Sequence, residues 1–154
     1  MKLRNFIRSV RGAVLVEAVF VLPILIVLTL GSIQMSAIFF VMNSMSQFAR
    51  DGARAMAAGA DDETGGVLTS CSTLSGTAPD GSVSVEKRVC DMTSIMPGSY
   101  LVAANDGVPG GKASAGTEVT VSIQILTNDF IFFDPYDALF GAGFLSVSSP
   151  SFIE

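Results

Sequence analysis

The chain of 154 residues has room for one modest domain besides a single long helix, and its net charge of −5 leaves no basic face to attract nucleic acid. It contains no histidine, which excludes Ser-His-Asp and Cys-His catalysis, and two cysteines alone make a zinc site a poor expectation. Its 49% hydrophobic content averages two unlike parts: membrane-like sequence to about Ala58, then a stretch rich in Gly, Ser, Thr and Asp.

Residues 1–12 form a basic leader in which Lys2, Arg4, Arg8 and Arg11 supply four cations and no acid. Glu17 is then the only charge before Arg50, so residues 18–49 make an uncharged run of 32. A bilayer-spanning helix needs only about 20 such residues. A carboxylate just inside this segment is expensive to hold in lipid and by default asks for a functional explanation. Four cations before the span, against Arg50 and Arg54 after it, place the N-terminus in the cytoplasm by the positive-inside bias. The expected location is the inner (cytoplasmic) membrane, crossed once, with the rest of the chain periplasmic or extracellular. A conventional cleaved signal fits less well, because the apolar run continues through Ile38, Phe39, Phe40 and Val41.

Residues 13–58 read as one helix of roughly 70 Å, more than twice the hydrocarbon thickness. In its second half Gln34, Ser36, Asn43, Ser44, Ser46 and Gln47 interleave with Ile38, Val41, Met42, Met45 and Phe48 at spacings of three and four. That is an amphipathic pattern, and its stripe runs on into Ala49, Ala53 and Ala57. The inner half is expected to face lipid or like helices, with Val16, Phe20 and Leu28 as packing positions, while the outer half carries a folded domain. Pro23 removes one helical hydrogen bond and should loosen or kink the span. Ala58-Gly59-Ala60 should end the helix.

Beyond it, residues 59–154 read as a β-rich extracytoplasmic domain. Asp61-Asp62-Glu63-Thr64-Gly65-Gly66 reads as a solvated loop; its acids invite calcium, but consecutive acids in a Gly-rich loop are usually only hydrated. Val83, Val85 and Val89 suggest a strand over 82–90. Val119, Val121, Ile123 and Ile125 alternate strictly with Thr120, Ser122 and Gln124, the strongest strand signal in the chain. Weaker strands are expected at 99–103 and 144–148, with turns at Asp80-Gly81, Asp106-Gly107 and Gly110-Gly111. Asp134-Pro135-Tyr136-Asp137 resembles an N-cap with Pro at the first helical position, opening a short turn to Phe140. In an oxidising compartment Cys71 and Cys90 can pair, closing a loop of roughly 20 residues worth about 3 kcal/mol; the alternative is two unrelated buried thiols. Gly107-Val108-Pro109-Gly110-Gly111-Lys112 falls one residue short of a phosphate-binding loop, and Ala113 replaces the required hydroxyl. The aromatic residues Phe130, Phe132, Phe133, Tyr136, Phe140 and Phe144 are expected to serve as core. Neither a cofactor nor a metal is expected.

The junction Arg11-Gly12-Ala13-Val14-Leu15-Val16-Glu17 carries the functional reading. Gly12 offers no side chain to a peptidase that must approach the backbone closely, and a cut after it makes Ala13 residue one and Glu17 residue five. This arrangement resembles that of type IV prepilins. Together with Val21-Leu22-Pro23-Ile24-Leu25, Gly31-Ser32-Ile33-Gln34 and Phe48-Ala49-Arg50-Asp51-Gly52-Ala53-Arg54, it resembles the TadE-like family of pseudopilins. Gln34 stands where the family often has a second acid. The resemblance spans about residues 11–58 and implies processing by a prepilin peptidase and a role in the tight-adherence (Flp) pilus. The partners it implies are other pilins or pseudopilins and an inner-membrane assembly platform. The new amine of one subunit would neutralise Glu17 of a neighbour in the membrane. The expectation is therefore an α+β protein, a long transmembrane helix followed by a small antiparallel pilin-like domain, acting by assembly and not as an enzyme. The rival reading is a membrane-anchored surface adhesin.

Overall fold

The computed structural model describes residues 2–107, 115–126 and 143–153. It divides into two compact units, Met1–Ile38 and Phe39–Glu154. The helix α1 runs Lys2–Ala57, 56 residues, and so starts well before the expected residue 13. The leader holds no proline and no glycine before Gly12, so nothing in it stops helical propagation.

In the first unit the side chains of Val14, Leu15, Val16, Val19, Phe20, Leu22 and Leu28 are all exposed. By length and composition α1 can cross a membrane. Several of its hydroxyls donate back to the helix backbone. Thr29 Oγ1 donates to the carbonyls of Leu25 and Ile26, and Ser32 Oγ to that of Thr29. A hydroxyl with no water within reach needs such a partner. Pro23 lies inside the helix.

Among the described residues, the second unit is built from the outer part of α1, a short helix α2 (Val85–Thr93) and four strands: β1 (Thr69–Ser70), β2 (Tyr100–Asn105), β3 (Glu118–Leu126) and β4 (Phe144–Phe152). The sheet is antiparallel throughout, in the order β1-β2-β3-β4. The chain is thus α+β. Residues Val119, Val121, Ile123 and Ile125 of β3 are fully buried, as their alternation demands. Their partners across the ladder, Ala104 opposite Val121, Val102 opposite Ile123 and Tyr100 opposite Ile125, are buried on the same face. The two weaker strands form as β2 and β4 and run longer than the sequence suggested.

Over this face lies the apolar stripe of α1. Val41, Met45, Ala49, Ala53 and Met56 are buried in one cluster with Val85 and Val89 of α2 and the inward residues of the sheet. Gly52 shows how close the approach is. A Cβ built there would stand 2.8 Å from Val89 Cγ2 and 3.3 Å from Val121 Cγ1. Past Ala57 the helix closes with Gly59 at φ 93°, its N–H on the Met56 carbonyl (2.8 Å) and the Ala60 N–H on that of Ala55 (2.9 Å). This is a Schellman ending, with glycine where a left-handed residue is required.

The strand expected over 82–90 is α2 instead. Ser84 sits in extended conformation and its hydroxyl accepts the Lys87 N–H, capping the helix. Val85 and Val89 are four apart and so share a helical face, whereas Val83, which completed the period of two, is exposed. The short helix expected at 134–140, the Gly110-Gly111 turn, most of the phosphate-loop-like segment and the aromatic residues before Phe144 lie outside the described residues. Phe144 opens β4 and is exposed.

The packing at Gly52 yields a prediction. Gly→Ala inside a helix gains about 1 kcal/mol of propensity. Overpacking against stiff β-branched neighbours costs about 1–3 kcal/mol. Gly52→Ala should therefore show a net loss of stability of about 1 kcal/mol, and Gly52→Val should unfold the outer unit. Chemical denaturation of the full chain in non-ionic detergent, followed by circular dichroism, measures both.

Candidate functional site

Gly12 and Ala13 both lie within α1, and Gly12 is exposed with no atom within 4 Å of a Cβ built on it. Glu17 is also exposed, set among the exposed Val14, Leu15, Val16, Val19 and Phe20. A single carboxylate thus interrupts an otherwise apolar helix surface.

Cys71 follows β1 and Cys90 lies in α2; they are bonded, with their Cα atoms 5.5 Å apart and 19 residues between them in sequence. The bridge fastens α2 to the edge of the sheet, and among the described residues no cysteine is free.

A second group of polar residues departs from its sequence reading. The loop after α1 is not a solvated acidic turn: Asp61 and Asp62 are only 4% and 3% exposed, and Glu86, the second residue of α2, is fully buried. The Glu86 carboxylate explains the loop's path. It accepts the backbone N–H groups of Glu63 (3.1 and 3.0 Å) and Thr64 (3.0 Å) and the Thr64 hydroxyl (2.8 Å). A buried carboxylate that receives several donors loses much of its desolvation penalty. Glu63 in turn accepts the N–H groups of Ser75 (2.7 Å) and Gly76 (2.9 Å) and the Ser84 hydroxyl (3.1 Å). These two acids therefore knit the 61–64 segment to the 75–76 loop and to the start of α2.

With Glu63 and Glu86 so engaged, Asp61 and Asp62 come together with Asp106, which follows β2 and is 5% exposed. One carboxylate oxygen from each of the three lies within 4.8 Å of the others. Burial pushes Asp62 up to about 6, helped by the negative charges of Asp106, Glu86 and Asp61 and opposed by a hydrogen bond from the Gly65 backbone. Burial would also raise Glu63, but its donors from Ser75, Gly76 and Ser84 outweigh that and hold it below the usual carboxylate range. Sequence reading grouped Asp61 with Asp62 and Glu63; it missed Asp106, treated as half of a turn, and Glu86, hidden in the supposed strand. The Ser84 cap was the available signal for both α2 and the placement of Glu86.

Residues 12–54 match the TadE-like protein family. The match opens on Gly12, takes in Glu17 and Pro23, and ends in the last turn of α1 just past Gly52. The TadE-like segment therefore includes both the exposed apolar surface and much of the stripe that the outer unit buries. The sheet, the disulfide and the three aspartates lie beyond it. No curated protein and no solved structure matches the chain.

Two predictions concern this region. Replacing both cysteines by serine should lower stability by about 3 kcal/mol on chain-entropy grounds, and alkylation of the exported protein before reduction should label no thiol. The second concerns pH. Asp62 titrates higher in the fold than unfolded, so its penalty is absent at low pH and appears as pH rises through about 6. Glu63 has the opposite sign, contributing stability above its ordinary value of 4.5 that is lost as pH falls below it. No histidine titrates between. In chelator, the melting temperature should be higher at pH 5.5 than at pH 7.5, and Asp62→Asn should flatten that difference.

Proposed function

We propose that the chain is a minor pilin or pseudopilin that takes part in assembling a tight-adherence (Flp) pilus or its secretion machinery. The observation that carries this reading is the family match beginning on Gly12, with Glu17 five residues on in an exposed apolar helix. Residues 1–12 act as a cytoplasmic leader. A prepilin peptidase cuts between Gly12 and Ala13, where glycine leaves the backbone open and gives the helix its weakest local propensity, about 1 kcal/mol below alanine. The new α-amino group of one subunit then meets the Glu17 carboxylate of a neighbour, pairing two charges that neither could keep alone in lipid. Val16, Phe20 and Leu28 pack against neighbouring helices, and the disulfide-bonded outer domain stands in the periplasm or beyond. The protein acts by assembly, with the inner-membrane platform and other pilins as partners.

Two variants test the reading. Gly12→Val puts a β-branched side chain at the cut and should leave the precursor unprocessed. Glu17→Leu removes a carboxylate that costs about 2.5–3.5 kcal/mol at a membrane centre and less near its edge. Insertion and cleavage should persist in that variant while capture of partner pilins and pilus yield fall at least tenfold. A Glu17→Leu protein that co-assembles normally would show the carboxylate to be incidental.

A further inference from the structure

We propose that Asp61, Asp62 and Asp106 form a binding site for one calcium ion, which ties the loop after α1 to the end of β2. The three side chains are 3–5% exposed, and one oxygen of each lies within 4.8 Å of the others. Proximity of acids alone would mean little. The independent observation is Asp62 Oδ2, a buried atom with no hydrogen-bond partner. Buried polar atoms are almost always satisfied, and a buried carboxylate oxygen left bare asks for a ligand that the protein does not itself supply.

The neighbouring acids show that the fold can satisfy carboxylates here when it uses them structurally. Glu86 and Glu63 each take three or more donors from backbone and hydroxyl groups. Asp61 Oδ1, by contrast, takes the N–H of its own neighbour Asp62 (3.0 Å). The loop is held in place from outside the trio, by Glu86 and by the Gly66 N–H on the Ala104 carbonyl (2.8 Å). These contacts help to bring the three aspartates to one place.

The chemistry selects the ion. An all-oxygen, carboxylate-rich set suits a hard divalent cation, not zinc or copper. Around calcium, oxygens at about 2.3–2.6 Å from the metal can stand up to about 5 Å apart, which accommodates the spacing of this trio. Magnesium demands oxygens at about 2.1 Å in near-ideal octahedral order and gives up its water reluctantly. Two consecutive aspartates and a third from another strand end offer calcium's looser geometry more readily than magnesium's.

The experiment uses the full chain in non-ionic detergent, stripped with EGTA and titrated with calcium chloride. Calorimetry should find one calcium ion bound per chain, with an affinity in the range of extracellular modules, about 0.1–1 mM. At 10 mM calcium the melting temperature should rise by about 5 °C over the chelated protein. Asp62→Asn and Asp106→Asn should each weaken binding at least tenfold, whereas Glu118→Gln, at an exposed carboxylate at the start of β3, should bind as the parent does. If Asp106→Asn does not fold, Asp62→Asn decides alone, because it alters the atom that has no partner to lose. Absence of binding at 10 mM, or undiminished binding by Asp62→Asn, overturns the site. An equal response to magnesium overturns its assignment to calcium.

Discussion

The outer unit depends on how near α1 comes to the sheet. At Gly52 there is no room for even one more carbon before Val89 and Val121, and the buried residues on either side are small or flexible: Ala49, Ala53, Met45 and Met56. A sheet with one apolar face must bury that face against another layer. The helix supplies the missing layer. Burial of the stripe from Val41 to Met56 against β2 and β3 gives the unit its hydrophobic core, and the small residues let backbone meet side chain closely enough to exclude water. This is the physical content of the Ala-Arg-Asp-Gly-Ala-Arg sequence near the end of the TadE-like segment. Its small residues face inward while Arg50, Asp51 and Arg54 are exposed.

The same helix presents a different surface earlier in the chain. From Val14 to Leu30 nearly every large side chain is apolar and exposed, and the hydroxyls of Thr29 and Ser32 are satisfied within the helix. These are the requirements of a lipid or helix-packed environment. Against that background Glu17 is the exception, and its position five residues past Gly12 is what the proposed prepilin mode of assembly rests on.

Much of this was legible in the sequence because burial leaves a period. The stripe of α1 and the alternation of β3 both showed which faces would be covered. The resemblance at Gly12 and Glu17 was legible because it rests on residue types at fixed spacing. What was not legible depended on contacts between distant segments. Val83, Val85 and Val89 fit a period of two as well as Val85 and Val89 fit a helical turn, and only the Ser84 cap separates the two readings. The Asp-Asp-Glu loop looked hydrated because nothing local reveals that Glu86, more than twenty residues on, will gather its backbone. Gly52 looked like one small residue among several until β3 and α2 arrived beside it. Asp106 belonged to a turn until the loop after α1 was folded against the end of β2.

On the proposed function, the helix is made in one form and used in another, with its first residue in the assembled state created by a cut. The direct measurement is the intact mass and N-terminal peptide of the protein isolated from the membrane of a strain that makes the peptidase and the pilus. The account predicts a single species beginning at Ala13. A protein that retains residues 1–12 would contradict it.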